Sequence, residues 1–144
     1  MKFPYTTAFP FTPPRPYLDI VLRNGFKTTK LIARVDSGAD YPIFPSEVAH
    51  SLGIDLRKAP VWPFSGTSGK PQEARLANLL LAIVRENSSD HAFMEATVKC
   101  AFCDDFSLSG VLGQKGFFSN FKTTFHQPDN WFEIDPWDSF LRRD

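Results

Sequence analysis

Asp36-Ser37-Gly38-Ala39 carries more chemical content than any other stretch of this chain. The Asp carboxylate follows the apolar run Leu31-Ile32-Ala33-Arg34-Val35, and the backbone turns at once on Gly38. A buried strand that ends on an acid puts a carboxylate in a fixed place that solvent and ligand still reach. Two carboxylates held close together share one proton, so that one acts as general base on water and the other as general acid. The tetrapeptide occurs once. Such a site therefore needs two copies of the chain, each supplying one Asp36, and its two titrations belong to the pair.

Asp-Ser/Thr-Gly alone arises by chance in about one chain of this length in fifteen to twenty, and Asp and Ser before Gly favour ordinary turns. The setting adds weight. Ala39 and Asp40 follow the Gly, and Val111-Leu112-Gly113, a second apolar-apolar-Gly step, leads into one or two helical turns over 114–119. Between these sites lies Ser65-Gly66-Thr67-Ser68-Gly69, a small-residue loop that reads as the tip of a long hairpin.

The elements that must position these residues are mostly strands. Tyr17-Leu18-Asp19-Ile20-Val21-Leu22 reads as a strand, Asn24-Gly25 as a hairpin signal, and 30–35 as the return strand that delivers Asp36. A short strand follows over 41–44. A helix is predicted over 45–53, with Pro45 in its first turn, Gly53 beyond its end, and Val48 and Leu52 on one face. Residues 73–84 have helical propensity throughout, yet both alternating faces are apolar and the neighbours are strands, so a central strand is predicted. Over 92–100, Ala92, Met94, Ala96, Val98 and Cys100 alternate with Glu95, Thr97 and Lys99, the period of a half-buried strand. Residues 121–125 and 131–134 read as the last strands. The predicted division is a Pro-rich arm over 1–16, one domain over 17–134 and a tail over 135–144.

From residue 17 to 125 this order resembles the retropepsin family, the single-domain aspartic proteases typified by retroviral proteases. Pro45, Ala49 and Leu52-Gly53, and Gly116-Phe117-Phe118 with Phe121, resemble the bacterial members in particular. The resemblance implies a mostly β, single-domain closed barrel with one or two short helices and a flap hairpin, acting as a two-fold homodimer. It implies an aspartic endopeptidase that cleaves extended peptides with no metal and no cofactor. Asp36 is then catalytic. Ser37 bonds across the dimer axis, Gly38 allows close backbone approach and offers a carbonyl to substrate, and Ala39 leaves room for it. Asp40 and the flap residues Ser65, Gly66, Thr67, Ser68 and Gly69 bind substrate. Val111, Leu112 and Gly113 support the catalytic loop. Ile43, Phe44, Trp62 and Phe64 are candidate cleft-lining residues. Three features depart from the family pattern: Gln114 follows Gly113 where Arg, Asn or Asp is common, the flap lacks a Gly-Gly pair, and arm and tail exceed the retroviral length.

Composition sets the bounds on other readings. At 144 residues, with 42% hydrophobic and 22% charged residues and no net charge, the chain suits one globular domain. Residues 1–72 carry nine Lys/Arg against five Asp/Glu, but no basic cluster is dense enough to suggest nucleic acid. No apolar run approaches the ~20 residues of a membrane helix. No apolar leader follows Lys2, so a cytoplasmic chain with reduced thiols is expected. Cys100-Ala101-Phe102-Cys103 has CxxC spacing without a second pair or a nearby His, and reads as buried strand. His50, His91 and His126 lack metal-ligand spacing. Two alternatives stand beside the endopeptidase: a catalytically silent dimeric peptide-binding module on the same fold, and a monomeric β domain in which the motif is accidental.

Overall fold

The computed structural model describes residues 1–8, 10, 12–65, 69, 71–85, 92–104 and 110–137. The described residues form ten strands, one α-helix and short helical turns, in the order β1 (Lys2–Pro4), β2 (Tyr17–Asn24), β3 (Lys27–Val35), β4 (Ile43–Pro45), α1 (Ser46–Ser51), β5 (Val61–Ser65), β6 (Pro71–Val84), β7 (Ala92–Cys103), β8 (Val111–Leu112), β9 (Phe121–His126) and β10 (Trp131–Pro136).

The larger sheet has seven strands in the order β2-β3-β8-β4-β7-β6-β5, and β6 pairs a second time with β2, from Asp19 opposite Val84 to Arg23 opposite Leu80. β2 and β3 are antiparallel and joined by a two-residue loop, with Asn24 opposite Lys27. Gly25, at φ +62°, takes the first loop position, so Asn24 closes the strand instead of turning, and its amide donates to the Leu52 carbonyl at 2.8 Å. The two-residue strand β8 lies between β3, to which it is parallel (Val35 opposite Leu112), and β4, to which it is antiparallel (Ile43 opposite Val111). That insertion brings residues 110–115 to the end of β3, where Asp36 begins.

β6 and β7 are the long strands, antiparallel with a register shift at Ile83/Val84. Helical propensity in 73–84 gives way to tertiary context, as the sequence pattern predicts: β6 pairs with β5, β7 and β2, and Leu79, Leu81, Ala82, Ile83 and Val84 are buried. The predicted alternation of β7 holds from Met94 to Cys100, with Glu95, Thr97 and Lys99 exposed and Val98 and Cys100 buried. Edge strand β5 carries Pro63 on its exposed side, where a missing N–H breaks no ladder.

Helix α1 is shorter than predicted. Pro45 caps it and Leu52 follows it, with Gly53 (φ +72°) beyond; Ala49 and Leu52 reach the core. The helical turns expected at 114–119 form only a kinked turn over Gln114–Phe118. Lys115 and Gly116 have non-helical backbone there, with Gly116 at φ +109°. The main core gathers Leu18, Ile20, Leu22, Val35, Phe44, Leu79, Leu81, Ile83, Phe102, Leu112 and Phe117 with others.

The described residues at the start of the chain are tied to the body. β1 pairs with β10, and β10 with β9, in a three-stranded antiparallel sheet. Phe132 and Ile134 of β10 are wholly buried, and the rings of Phe3 and Tyr5 pack on Phe132 at 5.5 and 5.9 Å. The N-terminal ammonium donates to the Ile134 carbonyl and to Asp135 Oδ1, both at 2.8 Å. Trp131 is stacked on His126 at 3.6 Å, with Lys2 Nζ 4.5 Å from its ring centre. No described helix is long and apolar enough to cross a membrane.

Candidate active site

Strand β3 alternates as it approaches the site. Ala33 and Val35 point into the core, while Arg34 and Asp36 share the opposite, half-exposed side. The strand end is pinned from both flanks: the Val35 N–H donates to the Pro16 carbonyl at 2.8 Å, and the Arg34 N–H to the Gly110 carbonyl at 3.0 Å.

Beyond Val35 the backbone leaves the sheet, and residues 112–115 take over as its support. The Asp36 N–H donates to the Leu112 carbonyl at 3.0 Å. The Gln114 N–H donates to the Ala39 carbonyl at 2.8 Å, and the Lys115 N–H to the Asp40 carbonyl at 2.7 Å. The Gln114 side chain adds a fourth tie, its Nε2 donating to the Ser37 carbonyl at 2.6 Å. Gly113 is required by this approach. A Cβ there would stand 2.6 Å from the Ala39 carbonyl oxygen and closer still to that of Tyr41, inside any real contact distance. Val111 and Leu112, 6% and 0% exposed, anchor the segment in the core.

The Asp36 carboxylate has a separate partner on each oxygen. Oδ1 accepts from the Gly38 N–H at 2.9 Å, and Oδ2 from Arg34 Nη2 at 3.1 Å. Ser37, Gly38 and Asp40 are exposed and Ala39 is half-buried. The group is thus oriented by its own turn and remains open to an approaching molecule.

Beside this loop stands an aromatic row. Tyr41 meets Trp62 edge-on at 4.9 Å, and Trp62 stacks on Phe64 at 5.0 Å with 8° between the planes. Together with Ala39 and Leu76 they cover a small second core of Ile43, Ala74, Ala101, Cys103 and Val111. Lys115 Nζ lies 5.3 Å from the Tyr41 ring centre.

The structure sorts the predicted lining residues. Trp62 and Phe64 are half-buried and share the cluster with Ala39. Phe44 lines nothing: it is 0% exposed, packed against Phe102 in the main core, and Ile43 is buried beneath the aromatic row. Phe44 faces the main core and Ile43 the second one, so both faces of this short strand are covered. Ser65 ends β5 and is exposed, and Gly69 is exposed at φ +71°; Gly66, Thr67 and Ser68 lie outside the described residues. Cys100 and Cys103 are both free and buried, and burial pushes the Cys100 thiol up to about 12, so it stays protonated and inert.

Three residues of the site carry no mark in the sequence motif. Tyr41 follows Asp40 directly and its aromatic type was the available signal. Arg34 shares a strand face with Asp36 by simple alternation. Gln114 stands at a position where the sequence departs from the expected pattern, but its bond to Ser37 spans the whole interval between the two motifs.

No protein-family profile matches the chain, and no curated protein does. Among solved structures it is similar to a retropepsin-like aspartic protease from Rickettsia conorii, with a TM-score of 0.61 over 94% of this chain and 98% of that one at 18% identity. The fold is retropepsin-like. A protease of EIAV, complexed with the inhibitor HBY-793, matches at a TM-score of 0.45 and 16% identity over 74% of this chain and 88% of that one.

Proposed function

We propose that two copies of this chain assemble about a two-fold axis, and that their Asp36 carboxylates together hydrolyse peptide bonds in extended peptides. The return of β6 to β2 is read as closure of the barrel on which each half-site sits. The observation that carries the proposal is the support of residues 36–40. Four hydrogen bonds between residues 36–40 and 112–115, and a glycine that admits no side chain, hold one half-exposed carboxylate at the end of β3. A turn with no task does not need a second chain segment to fix it so closely.

The mechanism follows from the pair. One Asp36 is ionised and takes a proton from water placed between the two carboxylates. Its protonated mate polarises the scissile carbonyl and passes its proton on as the amine departs. Proximity and orientation supply much of the rate, since neither group forms a covalent intermediate. Ser37, exposed beside Asp36, is assigned to bonding across the axis. The Gly38 N–H, on Oδ1, keeps the carboxylate plane fixed. Ala39 leaves space for the peptide, and Asp40 takes part in a subsite. The β5–β6 hairpin, whose residues 65–69 form the flap in this reading, closes over the peptide, whose backbone adds as a strand. Trp62, Phe64 and Tyr41 offer an apolar wall.

A second reading is a dimeric peptide-binding module without turnover. It is favoured by the occupied state of Asp36, whose two oxygens both have donors within the chain.

The test exposes a peptide library to the wild type and to Asp36→Asn from about pH 4 to pH 7, the range in which carboxyl pairs work. New termini from the wild type alone establish the peptidase. Equal products from both variants remove Asp36 from the mechanism. Peptide capture without products favours the silent module.

A further inference from the structure

Arg34 touches the Asp36 carboxylate directly, yet the proposed reaction does not use it. Strand alternation puts it on the same side of β3 as Asp36, with buried Val35 between them. Its Nη2 donates to Asp36 Oδ2 at 3.1 Å, and both side chains are 34% exposed. Oδ1 already serves the Gly38 N–H. Arg34 therefore occupies the carboxylate oxygen that the Gly38 N–H leaves open. Among the described residues, its guanidinium has no other acid within ion-pair distance.

We propose that Arg34 sets specificity: it selects a substrate with an acidic side chain beside the scissile bond, and that side chain takes Arg34 from Asp36. This rests on the peptidase reading above. A guanidinium presents five N–H donors in a planar fork, and a single bond to Oδ2 leaves most of them available. A substrate carboxylate offers a two-pronged pair, which is stronger and better oriented than the single contact. The exchange leaves Arg34 paired throughout, so no cation is stranded in the cleft. It also releases Oδ2 to share its proton with the second Asp36. A substrate with a neutral side chain at this place offers Arg34 nothing, and the guanidinium stays on Asp36. The aromatic row of Tyr41, Trp62 and Phe64 supplies apolar contacts elsewhere in the cleft, so the charge requirement is local to one side chain.

The experiment uses the full chain, as wild type, Arg34→Gln, Arg34→Lys and Asp36→Asn, on a proteome-derived peptide library read by mass spectrometry. Synthetic peptides of the resulting consensus then carry Glu or Gln at the enriched position. Wild-type products enriched in Asp or Glu next to the cut are expected, with kcat/KM about tenfold or more higher for the Glu peptide. Arg34→Gln should bring that ratio near one, and Arg34→Lys should keep part of it, since a cation remains. Cleavage of the Gln peptide by Arg34→Gln where the wild type cuts only the Glu peptide also supports the inference, because the latch on Oδ2 is then gone; a wild type silent on both peptides beside an active Arg34→Gln overturns it. Products with the same preference from wild type and Arg34→Gln overturn the role of Arg34 and leave the peptidase standing. No Asp36-dependent products from either overturn the peptidase reading, and this inference with it.

Discussion

Residues 36–40 and the sheet of β1, β10 and β9 are both built by joining segments far apart in sequence, but they are held by different means. The terminal sheet is held by apolar burial. Phe132 and Ile134 are fully covered, Phe3 and Tyr5 pack on Phe132, and the N-terminal ammonium adds an ion pair to Asp135. The loop at the site buries little, and its order comes from backbone hydrogen bonds and one glycine approach. A sheet held by side-chain volume tolerates similar side chains. A loop held by main-chain geometry tolerates very little at Gly113, yet leaves Ser37, Gly38 and Asp40 free to face a ligand. Stability and function are thus written in different kinds of residue.

That contrast breaks first at Phe132. Phe132→Ala should destabilise the protein by about 3–5 kcal/mol, the cost of emptying a fully buried ring site, read as a fall in the urea midpoint. At a temperature where it remains folded, its cleavage preference should match the wild type. A change in preference would mean that the terminal sheet shapes the cleft.

Gly113→Ala comes next. The added methyl meets the Ala39 and Tyr41 carbonyl oxygens, so a loss of about 1–3 kcal/mol or more is expected from overpacking. Here activity should vanish even where the fold survives, since the loop that carries Asp36 must shift. An active Gly113→Ala would show that residues 36–40 do not depend on the close approach.

Gln114→Ala sharpens the comparison at the small end. One hydrogen bond is lost, worth about 0.5–1.5 kcal/mol, and the thermal midpoint should move little. The rate should fall by about ten- to a hundredfold, because Ser37 and Asp36 lose part of their positioning. Equal losses in stability and rate would assign Gln114 to the fold alone.

The sequence makes the strands and the motif legible in unequal measure. Asp36 and Val111-Leu112-Gly113 stand out because an apolar run leads into the turn residue in each, and the structure brings the two segments together. Residues 73–84 could be read correctly only by setting local propensity below context, since Leu and Ala serve a helix as well as a central strand. The arm was legible as Pro-rich, but the pairing of Lys2–Pro4 with Trp131–Glu133 was not, because register across the whole chain leaves no local pattern. Phe44 looked like a cleft residue because a short apolar strand after the motif does not show which neighbours cover it. Gln114 and Arg34 are polar residues whose partners depend on turn geometry, and single-sequence patterns do not encode which oxygen a side chain reaches.

The most direct test of the central claim is a mixing experiment. Wild-type chains are combined with increasing proportions of Asp36→Asn chains, allowed to exchange, and assayed on one cleaved peptide at constant total protein. If each site takes one Asp36 from each of two chains, activity falls as the square of the wild-type fraction, to about a quarter at an equal mixture, because each doubly competent pair needs two wild-type chains. A straight-line fall would mean that each chain works alone, and would contradict the shared site.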